Sequence, residues 1–323
     1  MKAAVLHQLG SVPEYEDFPD PIPTQEQLLI TVKAASIKNL DKARASGKHY
    51  ASYITLPAVA GIDGVGVLEN GTRIYAQGIT GMIAEKALIA KNRYTVLPQN
   101  IDDATTAALP NAAMGAALAL RYRAEIKKGN VVLINGATGV TGQLAIQMAK
   151  YYGASKVIAT GRNMEMLEKL TELGADEIIS LRQDDEVFIE QLKKLNGSNP
   201  VDIVLDYLWG HPVELIITSL KGGGGINTFA QKVRIVSVGS MAGEDITLAS
   251  GVLRSSAIEL LGSGLGSFTQ ENMEKFGTEI LPEMFQLAAD KKLTIETESA
   301  KLENIEKAWQ QEATPGKRMV VVI

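Results

Sequence analysis

The sequence contains no cysteine. That absence removes disulfides, thiolate nucleophiles and cysteine-ligated zinc from consideration before any pattern is read. Histidine is scarce too. His7, His49 and His211 are the only three, far apart and never in a metal-spaced pair, so each reads as a solvated or hydrogen-bonded side chain. No apolar run approaches the roughly 18 residues that a membrane span requires. The first residues carry a single lysine, Lys2, and no cleavable hydrophobic segment, so a cytoplasmic protein without a membrane partner is expected. A basic excess is missing as well. The formal net charge of -5 offers no footprint for nucleic acid, which needs clustered Lys and Arg. What remains is an ordinary soluble composition, 46% apolar and 21% charged. Its 323 residues exceed what one core usually serves, so two domains are expected.

The chain is organised around Val131-Val132-Leu133-Ile134-Asn135-Gly136-Ala137-Thr138-Gly139-Val140-Thr141-Gly142 and the apolar residues at helical spacing that follow it to Lys150. A short β-branched run, three evenly spaced glycines and a helix-periodic segment predict strand, tight turn and helix, the arrangement that holds a dinucleotide pyrophosphate. Gly136 would permit the turn, Gly139 would let backbone N–H groups approach the phosphates, and Gly142 would let the helix pack on the strand. From about residue 126, strand-like runs at 131–135, 156–160, 177–180, 201–205, 233–238 and 257–261 alternate with amphipathic runs at 141–152, 164–173, 186–195 and 211–220. Such alternation predicts an α/β fold, a doubly wound parallel sheet binding its ligand at the carboxyl ends of the strands. The glycine run at 221–225 reads as a mobile surface loop.

Residues 1 to 125 read as strand-rich, with strands expected at 3–6, 28–34, 64–68, 73–76, 83–89 and 94–97. A proline- and acid-rich connection is expected at 13–27, and a polar, aromatic segment fills 36–57. A helix should begin at Asp102-Asp103 and continue beyond Pro110 to 122. After residue 270 the pattern gives a helix at 270–291, a strand at 293–298, a helix at 303–311 and a last strand at 317–323. These are too few to stand alone and are expected to complete the first unit, which is then discontinuous.

The second strand of the nucleotide region says which dinucleotide to expect. An NAD site normally ends that strand on Asp or Glu. Here it ends Thr160-Gly161-Arg162-Asn163. A guanidinium there attracts a 2′-phosphate, so NADPH is the expected cofactor, with Arg182 after the third strand as a second candidate for the same phosphate.

Together with Leu56-Pro57-Ala58-Val59-Ala60-Gly61-Ile62-Asp63-Gly64-Val65-Gly66 and Pro315-Gly316-Lys317-Arg318-Met319-Val320-Val321-Val322, this order of units resembles the medium-chain dehydrogenase/reductase superfamily. Within it the chain looks like the zinc-independent quinone oxidoreductase branch, whose relatives include enoyl reductases. The resemblance implies a Rossmann NADPH-binding domain at 123–267 and a strand-rich, GroES-like catalytic domain built from 1–122 and 268–323, with the active site between them. It implies cofactor contacts at Gly239 and Ser240, at Gly262 and Ser263, and within Asp206-Tyr207-Leu208-Trp209-Gly210. It also implies a homodimer formed through the edge strand near 257–261.

Departures from the pattern matter equally. Zinc members carry a cysteine in the first catalytic loop and Gly-His-Glu further on; this chain has Asn39 to Asp41 and Gly61-Ile62-Asp63. The cysteine-rich structural zinc lobe is missing, and Val140 stands where quinone reductases usually have another glycine. Without a Lewis acid, ionising an alcohol of high pKa lacks its usual help, whereas a quinone or an α,β-unsaturated carbonyl accepts hydride with hydrogen-bond donors alone. The expected activity is therefore NADPH-dependent reduction of a quinone or an enone. Its alternatives are an NADPH-binding regulatory or scaffold protein with little turnover, and an alcohol dehydrogenase-like enzyme acting on small carbonyls. By resemblance, Tyr50 is the expected proton donor, with Tyr53 competing. Asn39 and Asp41 either line the substrate cleft or order its loop as an Asx turn or helix cap, and Asp63 organises a loop.

Overall fold

Small and β-branched residues dominate both ends of the chain, and both ends fold as strands. The computed structural model describes residues 1–222, 231–312 and 314–323, so Gly223, Gly224 and Gly225 of the glycine run lie outside the described residues. The chain forms two compact units, Met1–Asn111 with Gly277–Ile323, and Ala112–Phe276.

The first unit holds β1 (Lys2–Leu6), β2 (Glu14–Asp17), β3 (Gln27–Ser36), α1 (Asn39–Ala45), β4 (Ala58–Val59), β5 (Asp63–Val67), β6 (Arg73–Gly78) and β7 (Lys86–Val96). Strand β3 takes three partners along its length. Gln27 to Thr31 face β7, Thr31 to Ala34 face β5 across a bulge at Lys33, and Ala34 to Ser36 face the last strand of the chain. Because β5, β6 and β7 also pair in series, these four strands close on one another as a small barrel. The glycines of β5 are a steric requirement of that closure. A Cβ at Gly64 would sit 2.6 Å from the Ala34 carbonyl oxygen, and one at Gly66 would sit 2.7 Å from Ile30 Cδ1. Leu6, Ile30, Ile74, Ile83, Ile89 and Val321 fill the interior.

Helix α2 (Asp103–Leu118) crosses the unit boundary and accommodates Pro110 inside it, ending in a π-helical turn at Ala119–Arg123. The second unit then alternates β8 (Val131–Asn135), α3 (Val140–Tyr151), β9 (Lys156–Gly161), α4 (Met164–Lys169), β10 (Glu177–Ser180), α5 (Asp185–Ser198), β11 (Ile203–Asp206), α6 (Gly210–Leu220), β12 (Val233–Ser237), α7 (Ser250–Ser255) and β13 (Ile258–Gly262). All six strands are parallel, in the order β10-β9-β8-β11-β12-β13. This is the expected doubly wound α/β sheet. Strand β8 is buried at every position, which is why it reads as an unbroken apolar run. After α8 (Gln270–Lys275) and α9 (Leu281–Ala289), β14 (Glu296–Lys301), α10 (Ile305–Gln310) and β15 (Lys317–Val322) return to the first unit, where β15 pairs with β3.

Several expectations need correction. The connection at 13–27 contains β2, whose polar Glu14-Tyr15-Glu16-Asp17 pairs with β1 as an edge strand and so carries charge instead of apolar alternation. Strands expected at 83–89 and 94–97 are one strand, β7; its Ala87–Ala90 part faces β3 and its Tyr94–Val96 part faces β6, so the polar residues between them remain extended. The helix expected at 270–291 is interrupted by a π-helical turn at Phe276–Ile280, and α7 has no counterpart in the sequence reading.

Candidate active site

The turn after β8 carries Gly136 at φ +86, a conformation that L side chains rarely adopt. Its neighbour Ala137 donates an N–H to the Thr160 carbonyl at 2.8 Å, tying the turn to the end of β9. A Cβ at Gly142 would lie 2.6 Å from Ala137 Cα, so only glycine lets α3 approach this closely. Gly139 is different: it is the exposed N-cap of α3, with nothing within 4 Å of where a Cβ would stand. The first turn of α3 holds no acid, and its unsatisfied N–H groups and dipole make an anion cradle. Val140 is the first residue of the helix and is not among the positive-φ positions, so the turn imposes no need for glycine there. Thr138 packs so near Gly161 that a Cβ on Gly161 would come within 2.6 Å of its methyl group.

Beneath the turn lies a buried polar relay that spacing alone did not reveal. Thr160 Oγ1 donates to Asn135 Oδ1 at 2.6 Å, and Asn135 Nδ2 donates to Asp206 Oδ1 at 2.8 Å. The Asp206 carboxylate also accepts the N–H groups of Leu208 and Trp209 at 3.0 and 3.1 Å. Burial pushes the Asp206 carboxyl pKa up, and these donors hold it back only in part. Trp209 itself sits at φ +55 and ψ -159. A bulky residue in that region carries strain of about 1–3 kcal/mol.

The predicted cofactor residues share one end of the parallel sheet, since they follow β8, β9, β10, β12 and β13. Gly239, Ser240, Gly262 and Ser263 line an open groove of about 330 Å³ together with Trp209 and Glu244. In it Ser240 Oγ donates to Glu244, whereas Ser263 Oγ is buried and has no partner among the described residues. Arg162 and Arg182 are both exposed and follow neighbouring strands, Gly161 lying opposite Ser180. Asn163 is committed elsewhere, as the N-cap whose side chain accepts the Met166 N–H at 3.2 Å.

The predicted catalytic residues belong to the first unit. Asn39 is exposed at the start of α1, and the capping falls to Lys38 and Asp41 instead. Asp41 accepts the Lys38 N–H at 2.9 Å, while the Lys38 ammonium lies 3.0 Å from Asp41 and 2.8 Å from Asp63. Burial alone would lower the Lys38 pKa, but the two carboxylates outweigh it and leave it raised. Burial also raises the Asp41 carboxyl, whose Oδ1 has no partner among the described residues. Tyr50 stands 83% exposed, its ring 4.1 Å from that of His49. Tyr53 is half-buried beneath the Arg44 guanidinium at 4.9 Å. Burial, then the charge of Asp41, raises the pKa of the Tyr53 hydroxyl and keeps it neutral.

A family model described as zinc-binding dehydrogenase matches residues 140–281. The quinone oxidoreductase of Sus scrofa is 30% identical over 266 residues, covering 79% of this chain and 76% of that protein. The NADPH-dependent alkenal/one oxidoreductase of Arabidopsis thaliana chloroplasts is 37% identical over 182 residues, 50% of this chain and 46% of that protein. Among solved structures, the quinone oxidoreductase of Thermus thermophilus, determined also as its complex with NADPH, superposes with a TM-score of 0.77 at 25% identity and 100% coverage of each chain. The chain belongs to the medium-chain dehydrogenase/reductase superfamily, in its quinone oxidoreductase-like branch. It is an oxidoreductase.

The donor set does not fit the zinc in the family model's description. The chain has no cysteine, Asp41 and Asp63 share an ammonium, and among the described residues the cluster with metal-compatible spacing is His7, Glu14 and Glu16 at the exposed start of the chain. A dinucleotide does fit. The open N-cap at Gly139 and the unpartnered Ser263 hydroxyl are both places where a polar ligand completes the local chemistry.

Proposed function

We propose that the protein is an NADPH-dependent reductase that transfers a hydride to a quinone or an α,β-unsaturated carbonyl, without zinc. The observation that carries the cofactor assignment is electrostatic. An acid-free helix N-terminus opens behind the glycine turn, and the neighbouring strand ends carry Arg162 and Arg182, neither in an ion pair among the described residues. In this reading Gly136 to Gly142 cradle the pyrophosphate, Arg162 and Arg182 take the 2′-phosphate, and Gly239, Ser240, Gly262 and Ser263 hold the nicotinamide end. When bound, the reduced nicotinamide supplies the hydride. The chain's own task is to receive the charge that this leaves on the acceptor oxygen, and Tyr50 is the proposed donor, with the neutral Tyr53 hydroxyl as its competitor. The names of the Sus scrofa and Arabidopsis relatives, a quinone oxidoreductase and an alkenal/one oxidoreductase, support quinones and conjugated carbonyls as the two acceptor classes. The outermost position of β13 among the described strands of the parallel sheet supports the proposed homodimer.

The test is NADPH consumption measured against quinones, enals and simple aldehydes, with NADH in parallel. Turnover of the first two classes with NADPH is expected. Preference for NADH would overturn the role of Arg162, and tight NADPH binding with no turnover on any acceptor would overturn the reductase reading in favour of a regulatory one. Tyr50→Phe is expected to slow turnover; full activity with every acceptor removes Tyr50 from the mechanism.

A further inference from the structure

The segment that carries Tyr50 is closed by a histidine. His49 to Ser52 form a β-turn in which the His49 carbonyl accepts the Ser52 N–H at 2.9 Å and the Ser52 hydroxyl at 2.6 Å, while the His49 N–H donates back to Ser52 Oγ at 3.2 Å. Tyr50 and Ala51 hold its two central positions. Side chains clamp the Ala51 residue on both sides: its N–H donates to Nδ1 of His49 at 3.1 Å, and its carbonyl accepts the Nε–H of Arg44, from α1, at 2.7 Å. The first of these bonds fixes the state of the ring. A backbone N–H only donates, so Nδ1 presents its lone pair and the imidazole proton sits on Nε2. Asparagine at the start of such a turn accepts the same N–H two residues on. His49 does so with a nitrogen that a proton disables. Protonated Nδ1 and the Ala51 N–H would be two donors face to face. The half-buried imidazole also lies against the Tyr50 ring, centroids 4.1 Å apart and planes tilted by 34°, so one side chain both closes the turn and supports its apex. The charged and titratable groups around this turn and the Tyr53 that follows it are Lys48 and Tyr50 in the same segment, and Arg44, Asp41 and Lys38 from α1 and its cap. No carboxylate pairs with the imidazole among the described residues.

We infer that His49 is a positioning residue: its neutral imidazole closes the turn that presents Tyr50, and its protonation releases that turn. The consequence for turnover rests on the reductase reading above, in which Tyr50 meets the acceptor oxygen. Turnover then falls as pH falls through the His49 titration, because an open turn no longer fixes where the phenol stands. One hydrogen bond at the surface is a modest clamp, so the released turn costs roughly two- to tenfold in rate.

Nuclear magnetic resonance reads the turn without any substrate. Isotopic labelling of histidine and alanine nitrogen leaves only three imidazoles to follow, and the variants His49→Asn and Ala51→Gly assign the ring and the amide. At neutral pH His49 is expected as the Nε2–H tautomer. On acidification the Ala51 amide proton should move upfield, as a lost hydrogen bond requires, with the midpoint of the ring's own titration. In His49→Asn it should stay still through that range, since Oδ1 accepts it in every state. Turnover is then measured on the same proteins from about pH 5 to about pH 9. Wild type should show an acid limb at the His49 midpoint. His49→Ala should lose roughly two- to tenfold in kcat at neutral pH with the KM for NADPH unchanged, and His49→Asn should recover kcat and lack that limb. An Nδ1–H tautomer at neutral pH, an Ala51 amide indifferent to the charge of the ring, or an acid limb unaltered in His49→Asn overturns the inference and leaves the reductase reading intact. A wild type that turns over no acceptor overturns the reductase reading, and the tautomer and the amide still decide the turn.

Discussion

Lys38 is sealed with Asp41 and Asp63, its side chain 1% exposed. Removing charges from water is costly, and only complete pairing offsets that cost. Lys38→Met therefore leaves two carboxylates buried without their ammonium, with only the charge of the buried Arg318 guanidinium acting on both, and a loss of about 3–5 kcal/mol is expected in urea unfolding of the first unit. Replacing all three residues by apolar ones of matching volume should recover most of it. His211 offers a milder case. Its hydrogen bond to Asp185 raises its pKa above 6.5. The stabilisation is thus fully present below pH 6.5 and is lost as pH rises through the folded-state pKa. His211→Gln should flatten the fall in melting temperature between about pH 6 and about pH 8, and the effect is small because the ring is mostly exposed. Arg162→Ala should raise the KM for NADPH about tenfold and leave that for NADH unchanged. The place of Arg162 was legible because the apolar run of β9 marks the strand end it follows. Lys38 was not, since its partner Asp63 lies 25 residues away and nothing local marks an inward-facing lysine. Trp209 was visible as a residue, but its backbone angles are written in Asp206 and Asn135, not in its neighbours.

Elements that make their contacts locally were the readable ones. The central strands of the parallel sheet, β8, β9 and β11, are buried on both faces, so short apolar runs announce them, and the glycine turn joins two of the elements it serves. Strand β2 and the middle of β7 escaped because their stability comes from backbone partners supplied by distant segments while their side chains meet water. The glycines themselves separate two kinds of need. Gly142→Ala should cost about 1–3 kcal/mol in the second unit, because its Cβ would meet the Ala137 backbone at 2.6 Å and backbone yields little. Gly139→Ala meets nothing within 4 Å and should leave stability nearly unchanged. If Gly139 borders the pyrophosphate, the same methyl group weakens NADPH binding, which calorimetry on the two variants resolves.

At the scale of the whole molecule, no helix among the described residues is long and apolar enough to cross a membrane. Strand β13 is the outermost strand of the parallel sheet among the described residues. The proposed dimer pairs that edge with its copy, and light scattering coupled to gel filtration should give twice the 34.6 kDa chain mass; a monomer at micromolar concentration would remove the dimer from the account. Strand β3, with its three partners, carries a temporal consequence. Its last residues, Ala34 to Ser36, are paired by Val320 to Val322, which are translated after every strand of the second unit. The strands of the second unit all lie between Val131 and Gly262. On the ribosome the nucleotide-binding half can thus finish folding while the barrel still awaits its closing strand, and a nascent chain arrested before Lys317 should hold a folded Rossmann sheet and an unfinished β3 edge open to chaperones.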